Sequence, residues 1–125
     1  MDWVVRIGLI ELAIGGLLGW AMVVRDERPE WLRRIGVVAP QRIRQVHLDY
    51  VMMGLILIAV GLAVPDLPTA VAAALVFGTF VNPFLFVPLA FDPDAEKRLW
   101  YRVVAVVSFV AMSGSLVVAA VVGPG

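Results

Sequence analysis

Apolar residues run almost unbroken over four stretches, Trp3 to Val24, Val46 to Val64, Thr69 to Phe91 and Leu99 to Val122, and most of the charged residues lie between them. Each stretch meets the length of about 20 residues that a helix needs to cross about 30 Å of hydrocarbon. The second helix starts before its apolar part, because Pro40 suits a first helical turn and the residues from Gln41 onward favour helix. Pro65-Asp66-Leu67-Pro68 predicts a tight turn that makes the second and third helices a hairpin, and Gly123-Pro124-Gly125 predicts a frayed end. The first stretch follows Asp2, holds Glu11 and has no small-residue cleavage site ahead of the charges that follow it, which predicts a retained helix and not a cleaved leader. The expected architecture is all-α: one domain, residues 1–125, forming a transmembrane four-helix bundle with short loops and an interfacial segment in the first loop.

Composition strengthens this picture. The chain has 125 residues, of which 62% are hydrophobic and 16% charged, against about 45–50% and about 25% in a soluble domain. The lipid bilayer is therefore the first expected partner. With no cysteine, neither a disulfide framework nor a thiolate metal site can form. Ten basic and ten acidic residues cancel, which argues against a nucleic-acid partner, since phosphates require a basic surface.

The arginines predict orientation. Arg25, Arg28, Arg33, Arg34, Arg42 and Arg44 belong to the first loop or its flank, and Lys97, Arg98 and Arg102 to the third loop or its flank, with only Arg6 near the other face. The positive-inside rule then puts loops 25–45 and 92–98 in the cytoplasm and both termini of this multi-pass protein outside. Within the first loop, "PEWLRRI", Pro29 to Ile35, can lie as a short helix in the headgroup layer. Trp31, Leu32 and Ile35 would face lipid there, and the arginines water or anionic lipid.

Few side chains remain that can do chemistry. Glu11 sits near the middle of the membrane, where an ionisable group is expensive, and shares a helix face with Gly8, Gly15 and Gly19. It reads either as a proton-handling carboxylate or as a neutral, hydrogen-bonded acid that glues two helices together. His47, the single histidine, heads a stripe containing Tyr50, Val51, Gly54 and Gly61. That stripe reads either as close helix packing under a hydrogen-bonded boundary histidine, or as an imidazole ligating the iron of a flat macrocycle laid against the glycines. At about 1.5 Å per residue, Asn82 lies about two turns deeper than His47, so the two are expected to meet. Tyr50, Phe86, Tyr101 and Arg102 occupy the same half. Asp49 points away from His47 and is expected to pair with an arginine near the interface. No phosphate loop, catalytic serine triad or HExxH zinc pattern occurs.

"HLDYVMMGLILIAVGLAVP", His47 to Pro65, resembles the second helix of hydroxylaminobenzene mutases, and "FGTFVNPF", Phe77 to Phe84, resembles an aromatic-Gly-Thr-aromatic-x-Asn stretch in their third helix. Both segments are more distantly similar to styrene oxide isomerases. The likeness is weak in the first helix, through "GGLLGW", and nearly absent in the fourth. It implies a small trimeric four-helix membrane protein holding haem b on one histidine, His47. On the chain's own helix stripe, Gly54 and Arg44 are expected as further cofactor-binding positions. In those isomerases ferric iron takes the epoxide oxygen and promotes a 1,2-shift to an aldehyde without redox turnover. The third-helix asparagine carries over to Asn82. Two positions depart from the pattern: Met53 stands where these families have an asparagine shortly after the histidine, and Phe86 where the isomerases have a tyrosine. Tyr50 or Tyr101 would have to supply the missing substrate-orienting hydrogen bonds.

The resemblance therefore implies a haem-dependent isomerase or mutase acting on a small apolar epoxide or arylhydroxylamine. His47 would ligate the metal, and Asn82, Tyr50 and Tyr101 would act at the substrate. Phe80, Phe84 and Phe86 offer aromatic faces to developing positive charge. The alternatives are a haem-binding protein without catalysis and a structural or accessory membrane subunit.

Overall fold

The computed structural model describes residues 2–124. It is built from α1 (Asp2–Glu27), α2 (Pro29–Arg34), α3 (Gln41–Ala63), α4 (Thr69–Phe84), α5 (Phe86–Phe91), a 3-10 turn (Pro93–Lys97) and α6 (Leu99–Val122), with no strand among the described residues. Four spans are long and apolar enough to cross a membrane: α1, α3, the interrupted pair α4–α5, and α6. The expected all-α four-helix architecture is what the chain forms.

The spans pack mainly in chain order. α1 lies along α3, α3 against α4 and α5, and α4 along α6. Large apolar side chains such as Leu17, Trp20, Val106, Val110 and Val121 stay exposed on the outer helices. Lipid is as apolar as leucine, so such faces need no protein cover in a bilayer, and helix contact must come from close packing and hydrogen bonds.

Glycine provides that close packing at two crossings. A Cβ on Gly54 of α3 would stand 2.7 Å from the Gly8 carbonyl oxygen and 2.7 Å from the Leu12 nitrogen of α1. On Gly15 of α1, a Cβ would stand 2.7 Å from Val51 Cγ2. Gly78 does the same for α4 and α6, with Ser108 O and Met112 Cβ at 2.7 and 2.6 Å from its virtual Cβ. The main apolar cluster, with Val4, Leu57, Leu75 and Ala119 at its centre, fills the half remote from the arginine-rich loops and includes Val64 and Leu67 at the 65–68 turn.

Two expectations need correction. The third span is not one helix, because α4 and α5 are separated by a turn at Leu85. Pro83 and Pro88 have no N–H to donate to the carbonyls four residues earlier, so the ladder is broken on both sides of the turn. Two tyrosines donate to carbonyls beside the break: Tyr50 Oη to Phe80 O at 3.0 Å and Tyr101 Oη to Leu85 O at 2.8 Å. Tyr101→Phe is therefore expected to lower stability by about 1 kcal/mol, read as an earlier midpoint in detergent-to-denaturant unfolding with unchanged helix content.

The second correction concerns Leu32. α2 forms as expected, and Trp31 and Ile35 are exposed, but Leu32 is buried against Val37, Ala90, Val24 and Ile43 and does not face lipid. The loop after α2 is strapped to α5, with Val38 N and Ala39 N donating to Ala90 O at 2.8 and 3.0 Å. Gly36, at φ +96°, makes the turn that brings it there.

Candidate functional site

His47 stands in the second turn of α3, half-buried, with its Nδ1 2.6 Å from the Gly15 carbonyl oxygen of α1. A carbonyl only accepts, so in the neutral ring Nδ1 carries the proton and Nε2 presents its lone pair. Histidines that ligate metals are held in this way, with one ring nitrogen donating to a carbonyl or carboxylate and the other left for the metal. Nε2 has no hydrogen-bond partner among the described residues. Beside the ring, Gly19 is small enough that an added Cβ would only touch His47 Cε1 at 3.5 Å, and Gly16 borders open space. Arg44, one turn before His47, is exposed.

Gly54 does not offer the room expected of it. The space over it is taken by the backbone of α1 at Gly8 and Leu12, so no macrocycle can lie against Gly54 within one chain. The expected meeting of His47 and Asn82 also does not occur, because His47 turns to α1 and Asn82 to α6. Asn82 Oδ1 accepts from Ser108 Oγ at 2.9 Å and its Nδ2 lies 3.7 Å from Met112 Sδ. A depth difference of about two turns leaves the two within reach, but their directions around the helices differ.

The other candidates serve the scaffold. Tyr50 and Tyr101 use their hydroxyl protons on the carbonyls beside the α4–α5 break, so neither is free to donate to a substrate. Met53 is buried, and Phe86 packs on the cluster of Leu85, Leu89, Ala95 and Tyr101. Asp49 makes no ion pair among the described residues; it lines a shallow depression with Gln45, Leu48, Met52 and Phe86, on the side of α3 away from His47. Arg42, two turns before it on α3, is instead 4.0 Å from Glu96.

Glu11 matches the gluing role. It is completely buried, and its Oε2 lies 3.1 Å from Thr79 Oγ1 of α4, while Oε1 has no partner. Thr79 Oγ1 is also 3.1 Å from Val76 O, and with a single proton it donates to only one of the two at a time. This is the polar bridge between α1 and α4. Thr79→Val is expected to destabilise the protein by about 1–2 kcal/mol by leaving Glu11 buried without a partner, and Glu11→Met added to it should recover most of that loss. Unfolding midpoints of the single and double variants check this.

Sequence reasoning missed Thr79, Ser108 and Gly78. Gly78 and Asn82 lie four residues apart and share the face toward α6, while Thr79 lies one step round, toward α1. The Gly-Thr-x-x-Asn spacing, Gly78 to Asn82, was the available signal. Seen in place, "GTFVN" is a two-sided helix connector.

No group of three or more histidine, aspartate or glutamate side chains converges among the described residues. A bare metal ion would thus find no multidentate protein site, whereas a macrocycle that brings its own four donors needs one protein ligand. The chain matches no family model, no curated protein and no solved structure.

Proposed function

We propose that this chain is a multi-pass membrane protein that holds haem b on His47 Nε2 and acts as an isomerase or mutase on a small lipophilic substrate. The observation that carries the reading is the 2.6 Å contact between His47 Nδ1 and Gly15 O, which orients the ring and leaves its second nitrogen bare. The residues present fit the group in part. The donor atom fits, but Gly54 does not, so room for the macrocycle has to come from the outer side of the α1–α3 seam, beside Gly16 and Gly19. A second copy of the chain facing that side would complete the enclosure, in keeping with the trimer that the resemblance implies. Arg44, exposed one turn away, is placed to meet carboxylates of the group.

Ferric haem, when bound, supplies a Lewis acid to an epoxide or hydroxylamine oxygen. The chain's own part is to hold the ligand nitrogen, to keep water out with apolar spans, and to admit substrate from the bilayer. Asn82, Tyr50 and Tyr101 are left with structural work in this reading. The arginine distribution supports loops 25–45 and 92–98 on the cytoplasmic side.

The test is an absorption spectrum of protein purified from cells supplied with haem precursor, followed by turnover of aryl and alkyl epoxides and arylhydroxylamines. A Soret band that is lost in His47→Ala and kept in Asn82→Ala supports the proposal, as does turnover that disappears on reduction of the iron. No Soret band in the native protein removes it. The structural reading rests on the same His47–Gly15 bond together with the filled space at Gly54, and it predicts that absence.

A further inference from the structure

Two hollows at the arginine-rich end of the bundle lie side by side and share Leu32 and Val37 in their walls. One, of about 440 Å³, lies between the end of α1, α2 and the following loop, with Arg25, Arg33, Pro29 and Pro40 in its wall. The other, of about 250 Å³, has no polar surface and descends between α1, α3 and α5 past Ala21, Ile43, Val46 and Phe91 to Leu18. From Arg25 to Leu18 is seven residues, or about 10 Å along α1, a third of the roughly 30 Å hydrocarbon core.

The walls are built and not incidental. Leu32 and Val37 are buried in their own apolar cluster with Ala90, and the loop over them is pinned by the two hydrogen bonds to Ala90 O. Arg25 is mostly buried and gives only its Nε to Asp26, at 3.2 Å. Among the described residues its Nη groups and the Arg33 guanidinium have no carboxylate partner.

We infer that this composite hollow binds one anionic phospholipid, its phosphate between Arg25 and Arg33 and one acyl chain along the apolar groove. Positive charge at the mouth and a polar-free groove below match an anionic amphiphile, in the order of its own polarity. A free anion would leave the groove uncovered, and a zwitterionic headgroup would bring a cation to the arginines. The site is independent of His47, so its fate and that of the haem proposal are separate.

The test is native mass spectrometry of the detergent-purified full chain titrated with phosphatidylglycerol, phosphatidylcholine or inorganic phosphate. Phosphatidylglycerol should bind about tenfold more tightly than phosphatidylcholine. Arg25→Gln with Arg33→Gln should remove that preference, while Arg28→Gln with Arg34→Gln, which takes away equal charge outside the hollow, should keep it. Ala21→Phe should weaken phosphatidylglycerol binding severalfold by filling the groove. Ile35→Ser, at an exposed groove position, should weaken it without touching the core. Each variant is compared at unchanged helix content and elution volume. No headgroup preference, an equal loss in both arginine pairs, or no effect of either groove variant overturns the inference. Displacement of the lipid by inorganic phosphate overturns it as well.

Discussion

Gly54→Leu is expected to force α1 and α3 apart and to deplete the folded protein. The first atom of any side chain at position 54 would stand 2.7 Å from backbone atoms of Gly8 and Leu12, and backbone cannot rotate out of the way as a side chain does. Overpacking against yielding side chains costs about 1–3 kcal/mol, so a loss at or above about 3 kcal/mol is expected here, a large share of the roughly 5–15 kcal/mol that keeps a domain folded. Gly114→Leu is the control, since nothing lies within 4 Å of a Cβ there; it should change stability by less than about 0.5 kcal/mol. Reversible unfolding in mixed micelles measures both. Equal effects of the two substitutions would show that the α1–α3 crossing is not as close as described.

The second large effect is expected at His47. His47→Gly removes one hydrogen bond to Gly15, worth about 1 kcal/mol, and the protein should still fold. Haem retention should fall by more than about 100-fold, beyond the roughly 10–100-fold typical when only an outer-shell partner of a ligand is lost. Imidazole added to the medium should restore the Soret band by entering the space the side chain left. A histidine that merely joins α3 to α1 predicts the small stability loss alone, with no absorbance to restore.

The helices were legible in the sequence because hydrocarbon imposes a length and a composition on anything that crosses it. The four apolar runs, the start at Gln41 and the 65–68 turn therefore lie where expected. The break at Leu85 was written in Pro83 and Pro88 but masked by the unbroken apolarity of the run. The face of Glu11 could be read because its glycine neighbours at steps of three and four mark a close crossing. Which helix the face met could not. Periodicity gives the direction of a side chain around its own axis and says nothing of the neighbour's azimuth. His47 and Asn82 are therefore expected to meet from their depths alone, yet one bonds α1 and the other α6.

The same gap explains the glycines. A glycine stripe signals that something approaches closely, and at Gly54 that something is the Gly8 carbonyl and not a ligand. Tyr50 and Tyr101 are expected to orient a substrate, and their hydroxyls instead donate to backbone carbonyls of the interrupted third span. A carbonyl has no sequence signature, so such bonds are found only once the chain is folded.

Because the chain has a single histidine, nitrogen NMR of protein labelled only in histidine reports His47 alone. The account predicts a proton on Nδ1 and a bare Nε2 in the haem-free protein, and a large paramagnetic shift or loss of the Nε2 resonance when ferric haem is added. A proton found on Nε2, or an Nε2 resonance that haem leaves unmoved, would contradict it.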